Sequence, residues 1–202
     1  MVGSIIKSCT LALVSVTLFN QDKMGKLTLL KQQLDIVMKS KFLKNLSTAE
    51  RYEFLQLCHK RDYKEGEFVF YRNDPGTGMY FIQDGKIELT LDSNLTHESE
   101  DDNNSFVLES PDSFGALSIG YNLRRKSTAK CITDCKLLGF FQPDFEVLRD
   151  RHPQIAVKFL QTLTNIALRQ LEKATFTIEE LAGQEQALKV QFDAYYENNN
   201  EE

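Results

Sequence analysis

Residues 113–130 read SFGALSIGYNLRRKSTAK. A Phe-Gly step leads into a short apolar stretch, then into Arg124, Arg125 and Lys126, and then into Ser127, Thr128 and Ala129. A short helix or turn with free amides, containing Gly115 and Gly120 and closed by Arg125, is a physical recipe for holding an anion. Amides at a helix start point toward the ligand, and a guanidinium offers two parallel donors to phosphate oxygens. In a partly dry setting one phosphate would dominate recognition. The same composition also describes a solvated basic edge, with Arg124–Lys126 paired to the acidic stretch 98–102. Local composition leaves both readings open.

Other reactive groups point away from catalysis. His59 is read at the end of a helix, His97 in a polar loop and His152 between helices. None is expected on a strand or at the short spacing a metal site needs. Cys9, Cys58, Cys131 and Cys135 form no Cys-x-x-Cys pair and read as reduced thiols. Ser118, Ser127 and Thr128 have no histidine placed to activate them. Paired carboxylates fall in the polar loop and the tail. The expectation is a binding or interaction protein without metal or cofactor, not an enzyme.

The elements that must position residues 113–129 follow from periodicity. Leu27, Leu30, Leu34 and Val37 recur at helical spacing. Ser47 and Glu50 form a Ser-x-x-Glu capping box opening a second helix, whose periodicity ends near Lys60. From Arg61 the period changes to two. RDYKEGEFVFY reads as two short strands joined at Gly66, and GMYFIQDGKIELTL as a hairpin turning at Asp84-Gly85. Residues 92–105 are a polar loop, and strands resume at FVL (106–108), STAKCI and CKLLGFF. Pro143 and Pro153 each suit the first turn of a helix. In the second of these, Leu160, Leu163, Ala167, Leu171, Ala174, Ile178 and Leu181 form a seam about seven turns long. Half of it could cover the β domain. The distal half would want a partner, most simply a second copy of the chain, and Gly183 ends or loosens the helix.

The order is helices, about seven antiparallel strands, one interruption, then helices. It predicts an α+β, mainly β fold: an antiparallel β-roll or jelly roll flanked by N-terminal helices and a long C-terminal helix. The 202 residues carry a formal net charge of −5, which argues against broad nucleic-acid binding. The apolar run 5–19 is short for a membrane span and is interrupted by Lys7. It also makes a poor signal peptide. Met24 is an alternative start, and membrane association is not expected.

YKEGEFVFYRNDPGTGMYFIQDGKIEL, PDSFGALSIGYNLRRKSTA and TDCKLLGFFQPDFEVLRDRHP, in that order, resemble the cyclic-nucleotide-binding domain family. The resemblance covers roughly Leu43 to Leu171. Gly66, Gly78, Gly85 and Gly115 fall where that family turns. It implies that the stretch after Phe-Gly is a phosphate-binding cassette. Arg125 would hold the cyclic phosphate, and Gly115, Ala116, Leu117 and Ser118 would offer backbone amides near the ribose and phosphate. Lys126 and Ser127 would flank the phosphate. The family's ribose-binding Glu is Ala116 here, so the cassette keeps its phosphate half and lacks its ribose half; Asp112 is a possible substitute.

The implied organisation is an apolar extension 1–24, N-terminal helices 25–60, a roll 61–142 with the cassette at 113–129, C-terminal helices 143–190 and an acidic tail 191–202. The implied function is that of a cytoplasmic regulatory module resembling small bacterial members without an output domain. It would bind cyclic AMP or cyclic GMP weakly, or another small anion, with movement of the C-terminal helix and a homodimer through 155–181. The residues after Leu181 are too few for the winged helix-turn-helix of catabolite-type regulators, so nucleic acid is not an expected partner. The alternative is a ligand-free roll acting as a scaffold or dimerising protein.

Overall fold

The computed structural model describes residues 35–91, 105–119 and 123–196, with side chains through residue 191 apart from Ser118. The apolar run 5–19, Leu27, Leu30 and Leu34, the loop 92–104 with His97, Gly120 and residues 197–202 lie outside the described residues.

Residues 35–39 are helical. They are followed by α1 (Thr48–Gln56), β1 (His59–Tyr63), β2 (Phe68–Phe70), β3 (Gly78–Asp84), β4 (Lys86–Thr90), β5 (Ser105–Glu109) and β6 (Ser113–Phe114). A 3-10 turn (Ala116–Ser118) interrupts the strands before β7 (Thr128–Cys131) and β8 (Cys135–Phe141). Then come α2 (Gln142–Arg151), α3 (Pro153–Ala182) and α4 (Gln184–Tyr196).

The capping box forms as its residue types require. The Glu50 amide donates to Ser47 Oγ at 3.3 Å and the Ser47 amide donates to Glu50 Oε2 at 2.7 Å. The helix stops at Gln56, short of Lys60, because the next residues join a sheet: His59 pairs with Gly139 and Tyr63 with Cys135. His59 therefore opens a strand, contrary to the expectation that no histidine would. Its Nε2 lies 2.9 Å from Asp144 Oδ1, which ties β1 to the start of α2.

Two antiparallel four-stranded sheets make the roll, in the orders β1-β8-β3-β6 and β2-β7-β4-β5. The Asp84-Gly85 step joins the two sheets instead of closing a hairpin. β3 pairs with β8 and β6, whereas β4 pairs with β5 and β7. Gly85 has φ +90°, and a Cβ there would lie 2.4 Å from the Asp134 carbonyl oxygen, so both the turn and the close approach require glycine. Gly78 is not a turn residue. It begins β3, where a Cβ would meet the Phe140 carbonyl at 2.5 Å.

Strand alternation separates two cores. Tyr80 and Ile82 of β3, with Leu137 of β8, face between the sheets and join Ile87, Phe114, Ala129, Cys131 and Cys135. Met79 and Phe81, with Leu138 and Phe140, face the opposite side and meet the helices. Phe159 of α3 is the hub there. It is 1% exposed, with ring centroids 5.2–5.8 Å from Phe42, Phe54, Phe140 and Phe145. Burying such a side chain contributes about 2–3 kcal/mol.

The long helix does not use the expected seam. Its buried face is Ile155, Ala156, Phe159, Thr162 and Leu163, with Ile166 half-buried, whereas Leu160, Leu171 and Leu181 are exposed. Leu163 belongs to both sets. Pro153 sets the phase: the helix begins directly after α2, and docking on the Phe42–Phe54–Phe140 cluster selects a face one residue away from the seam. Gly183, at φ +87°, ends the helix. The distal half then gains an intramolecular neighbour, as α4 folds back so that Ala187 is buried and Gln191 lines a groove with Glu172, Thr175 and Phe176.

Candidate functional site

The interruption lies at one end of the roll. Phe114 of β6 stacks on Tyr80 at 5.4 Å inside the roll, which anchors the Phe-Gly step. Gly115 then takes φ +79°, ψ 10° and opens the 3-10 turn, which closes with the Ile119 amide on the Ala116 carbonyl at 3.2 Å. Ile119 is fully buried, and half-buried Ala116 and Leu117 pack on the helix-facing core. The turn therefore touches both the roll and the layer that contains α3.

Arg125 reaches this turn from the other side. Residues 71–76 grip its backbone: the Arg125 amide donates to the Asp74 carbonyl and the Asn73 amide to the Arg125 carbonyl, each at 2.9 Å. The Gly76 amide donates to the Leu123 carbonyl at 3.0 Å, and Pro75 and Arg124 form a bridge. The side chain is 6% exposed. Nη2 donates to the Gly78 carbonyl at 2.6 Å and Nη1 to the Gly115 carbonyl at 3.0 Å. The guanidinium carbon lies 4.2 Å from the centre of the Phe70 ring, a cation–π contact. Burial pushes the Arg125 pKa down, while the nearby Tyr80 and Asp74 act in the opposite direction. Such a guanidinium stays protonated.

The sequence-selected residues divide by position. Gly115 and Arg125 are in direct contact, and Ala116 and Leu117 follow in the turn. Ser118 is the last residue of the turn. Ser127 is half-buried and precedes Thr128, whose buried Oγ1 accepts from the Arg72 amide at 3.0 Å. Lys126 is exposed, as is Arg124, which donates to the Asn73 carbonyl at 2.7 Å. Asp112 lines a cavity on the helical side with Lys41, Lys44 and Arg169. Phe70, the Gly78 carbonyl and Tyr80 escaped the sequence reading. The signal for Phe70 lay in FVF, an alternating run, but nothing local placed that ring beneath Arg125.

The remaining groups are quiet. Burial, with Cys135 adjacent, pushes the Cys131 thiol up to about 12, so it stays protonated at neutral pH. Among the described residues there is no cluster of His, Cys, Asp and Glu suited to a metal ion, and no helix long and apolar enough to cross a membrane.

The described residues thus form a helix-flanked roll in which a buried arginine holds the 3-10 turn that follows β6. Residues 60–152 of the chain match the family described as cyclic nucleotide-binding domain. Over 140 residues it is 30% identical to a protein of Rhodopseudomonas palustris described as a candidate potassium channel protein, covering 69% of this chain and 32% of that one. It is 26% identical over 138 residues to the cyclic AMP receptor protein of Thermus thermophilus, covering 68% of this chain and 60% of that protein. The crystal structure of the Thermus thermophilus catabolite activator protein superposes with a TM-score of 0.59 at 25% identity, covering 71% of this chain and 63% of that one. The chain thus spans about a third to three fifths of these relatives' lengths.

Proposed function

We propose that residues 113–129 are the phosphate-binding cassette of a cytoplasmic regulatory module that binds cyclic AMP or cyclic GMP weakly. The observation that carries this reading is the contact of Arg125 with the 3-10 turn at the Gly115 carbonyl, 3.0 Å away. A phosphate entering beside the turn would offer Arg125 an anion in place of that neutral carbonyl. A charge-assisted bond is roughly twice as strong as a neutral one, so the exchange favours the ligand. The backbone amides of residues 115–118 complete the anion's shell. Ser127 flanks it, and exposed Lys126 adds attraction at the mouth.

Affinity is limited by Ala116. A methyl group cannot accept a ribose hydroxyl, and the missing charge-assisted bond is worth roughly 1.5–3 kcal/mol. Asp112, among the residues lining the helical-side cavity, is not assigned that role.

The output follows from the packing of the turn. Releasing the Gly115 carbonyl shifts Ala116 and Leu117 against the core that holds Phe159, Leu163 and Ile166 of α3. The shift of population between open and closed helix positions is as large as the ligand's preference for one of them. A homodimer through 155–181, using exposed Leu160, Leu168 and Leu171, would read out that movement. Hydrogen–deuterium exchange on the full chain with millimolar cyclic AMP tests this: slowed exchange at 114–119 with altered exchange at 153–166 is expected. Unchanged exchange in both segments would defeat the reading.

A second reading is a ligand-free scaffold. The observation in its favour is that Arg125 already holds two carbonyls and covers Phe70. A rigid roll of this kind would show no exchange response to any cyclic nucleotide.

A further inference from the structure

On the helical side of the first sheet, a cavity of about 450 Å³ opens between residues 41–45, the turn joining β5 to β6, and α3. Lys41 and Lys44 border it from one side and Arg169 from another, with Asp112 the carboxylate among the lining residues. Phe42 and Ile166 give it an apolar floor, and Asn45, Ser113, Thr162 and Asn165 supply polar edges. The Asn45 side-chain amide donates to Thr162 Oγ1 at 3.3 Å, and that hydroxyl donates to the Lys158 carbonyl at 3.2 Å, which ties the wall together.

Three cations meet here in a chain of net charge −5. Among the described residues, Lys39, Lys64, Lys86, Lys158 and Lys189 each hold a carboxylate. Lys41, Lys44 and Arg169 hold none there, although all three border one concavity. With three cations against the one carboxylate of Asp112, the cleft carries an excess of positive charge, which focuses its field and raises the local concentration of anions. The volume falls within the roughly 300–1,000 Å³ usual for small-molecule sites. The apolar floor suits an organic body, and Arg169 supplies the fork that matches phosphate oxygens.

We infer that this cavity is a second ligand site, taking a phosphorylated small molecule whose phosphates meet Lys41, Lys44 and Arg169 and whose organic part lies on Phe42 and Ile166. It is separate from the turn at Gly115. The cavity lies on the outer, helix-covered side of the first sheet, whereas Arg125 sits over Phe70 between the sheets.

The test is calorimetric titration of the full chain at low salt with two probes, pyrophosphate and adenosine 5′-diphosphate. Both bind, the diphosphate nucleoside more tightly, and the double variant Lys44→Ala/Arg169→Ala weakens both by about tenfold or more. Lys173→Ala, which removes an exposed cation of α3 outside the cavity, leaves both affinities unchanged. All three substituted positions are exposed, and an unaltered circular-dichroism spectrum verifies that the variants fold. Absence of heat with both probes at millimolar concentration overturns the site. So does binding that survives in the double variant, or that is lost equally in Lys173→Ala.

Discussion

Arg125 and Gly115 fix one another. The guanidinium Nη1 donates to the Gly115 carbonyl at 3.0 Å, and a Cβ at residue 115 would lie 2.5 Å from that same nitrogen. Glycine is needed twice over, because φ is +79° and because the arginine occupies the space a side chain would take. Gly115→Ala is expected to destabilise the chain by about 1–3 kcal/mol and to displace Arg125. Denaturant unfolding measures the first effect. Loss of cyclic-nucleotide binding in the folded variant measures the second.

Ala116→Glu restores an acceptor where the turn begins. If the ribose end of a cyclic nucleotide lies beside the turn, the substitution tightens cyclic AMP or cyclic GMP binding by about tenfold to a hundredfold. Direct titration reads the change. An unaltered or weaker affinity would place the ribose elsewhere.

Phe159 joins α3 to both the N-terminal helices and the first sheet, through rings of Phe42, Phe54, Phe140 and Phe145. Phe159→Ala is expected to cost about 3–5 kcal/mol, the range for removing a buried aromatic side chain. Urea unfolding followed by circular dichroism gives the number. A cost below 1 kcal/mol would mean that α3 is not docked as described.

Lys158 Nζ donates to both Glu50 carboxylate oxygens, at 2.6 and 2.8 Å, linking α1 to α3. The hydrogen bond from Lys158, aided by the Ser47 amide, holds the Glu50 pKa below its ordinary value. A carboxylate depressed in the folded state contributes stability above its unfolded pKa, about 4.3, and loses it as pH falls through the lower folded value. Glu50→Gln should therefore be less stable than the parent at pH 7, by no more than about 1 kcal/mol for a solvent-screened, half-buried pair. The difference should vanish in strongly acidic solution. Thermal melts of both proteins across that range check the sign, and a gap that widens on acidification would contradict it.

Much of the fold was legible because its signals are local. Ser47 with Glu50 announced a helix start, Pro143 and Pro153 two more, and the positive-φ glycines 66, 85 and 115 marked turns. What failed was pairing between distant residues. Asp84-Gly85 looks like a hairpin tip, but β3 prefers β8, and the chain changes sheets there. His59 follows a helical pattern yet pairs with Gly139, eighty residues on. The buried face of α3 was misphased because Leu160, Leu171 and Leu181 are as apolar as the residues beside them, and only the Phe42–Phe54–Phe140 surface decides between faces. At the candidate site, Arg125 and Gly115 were legible from type and order. Phe70, brought beneath Arg125 by the pairing of β2 with β7, was not.

The most direct test is isothermal titration of the full chain with cyclic AMP and cyclic GMP, beside Arg125→Ala and the charge-conserving Arg125→Lys, each verified as folded by circular dichroism. The account predicts heat at micromolar to sub-millimolar nucleotide, reduced in Arg125→Lys and lost in Arg125→Ala. No heat from the parent chain with either nucleotide, or heat that survives in a folded Arg125→Ala, would contradict it.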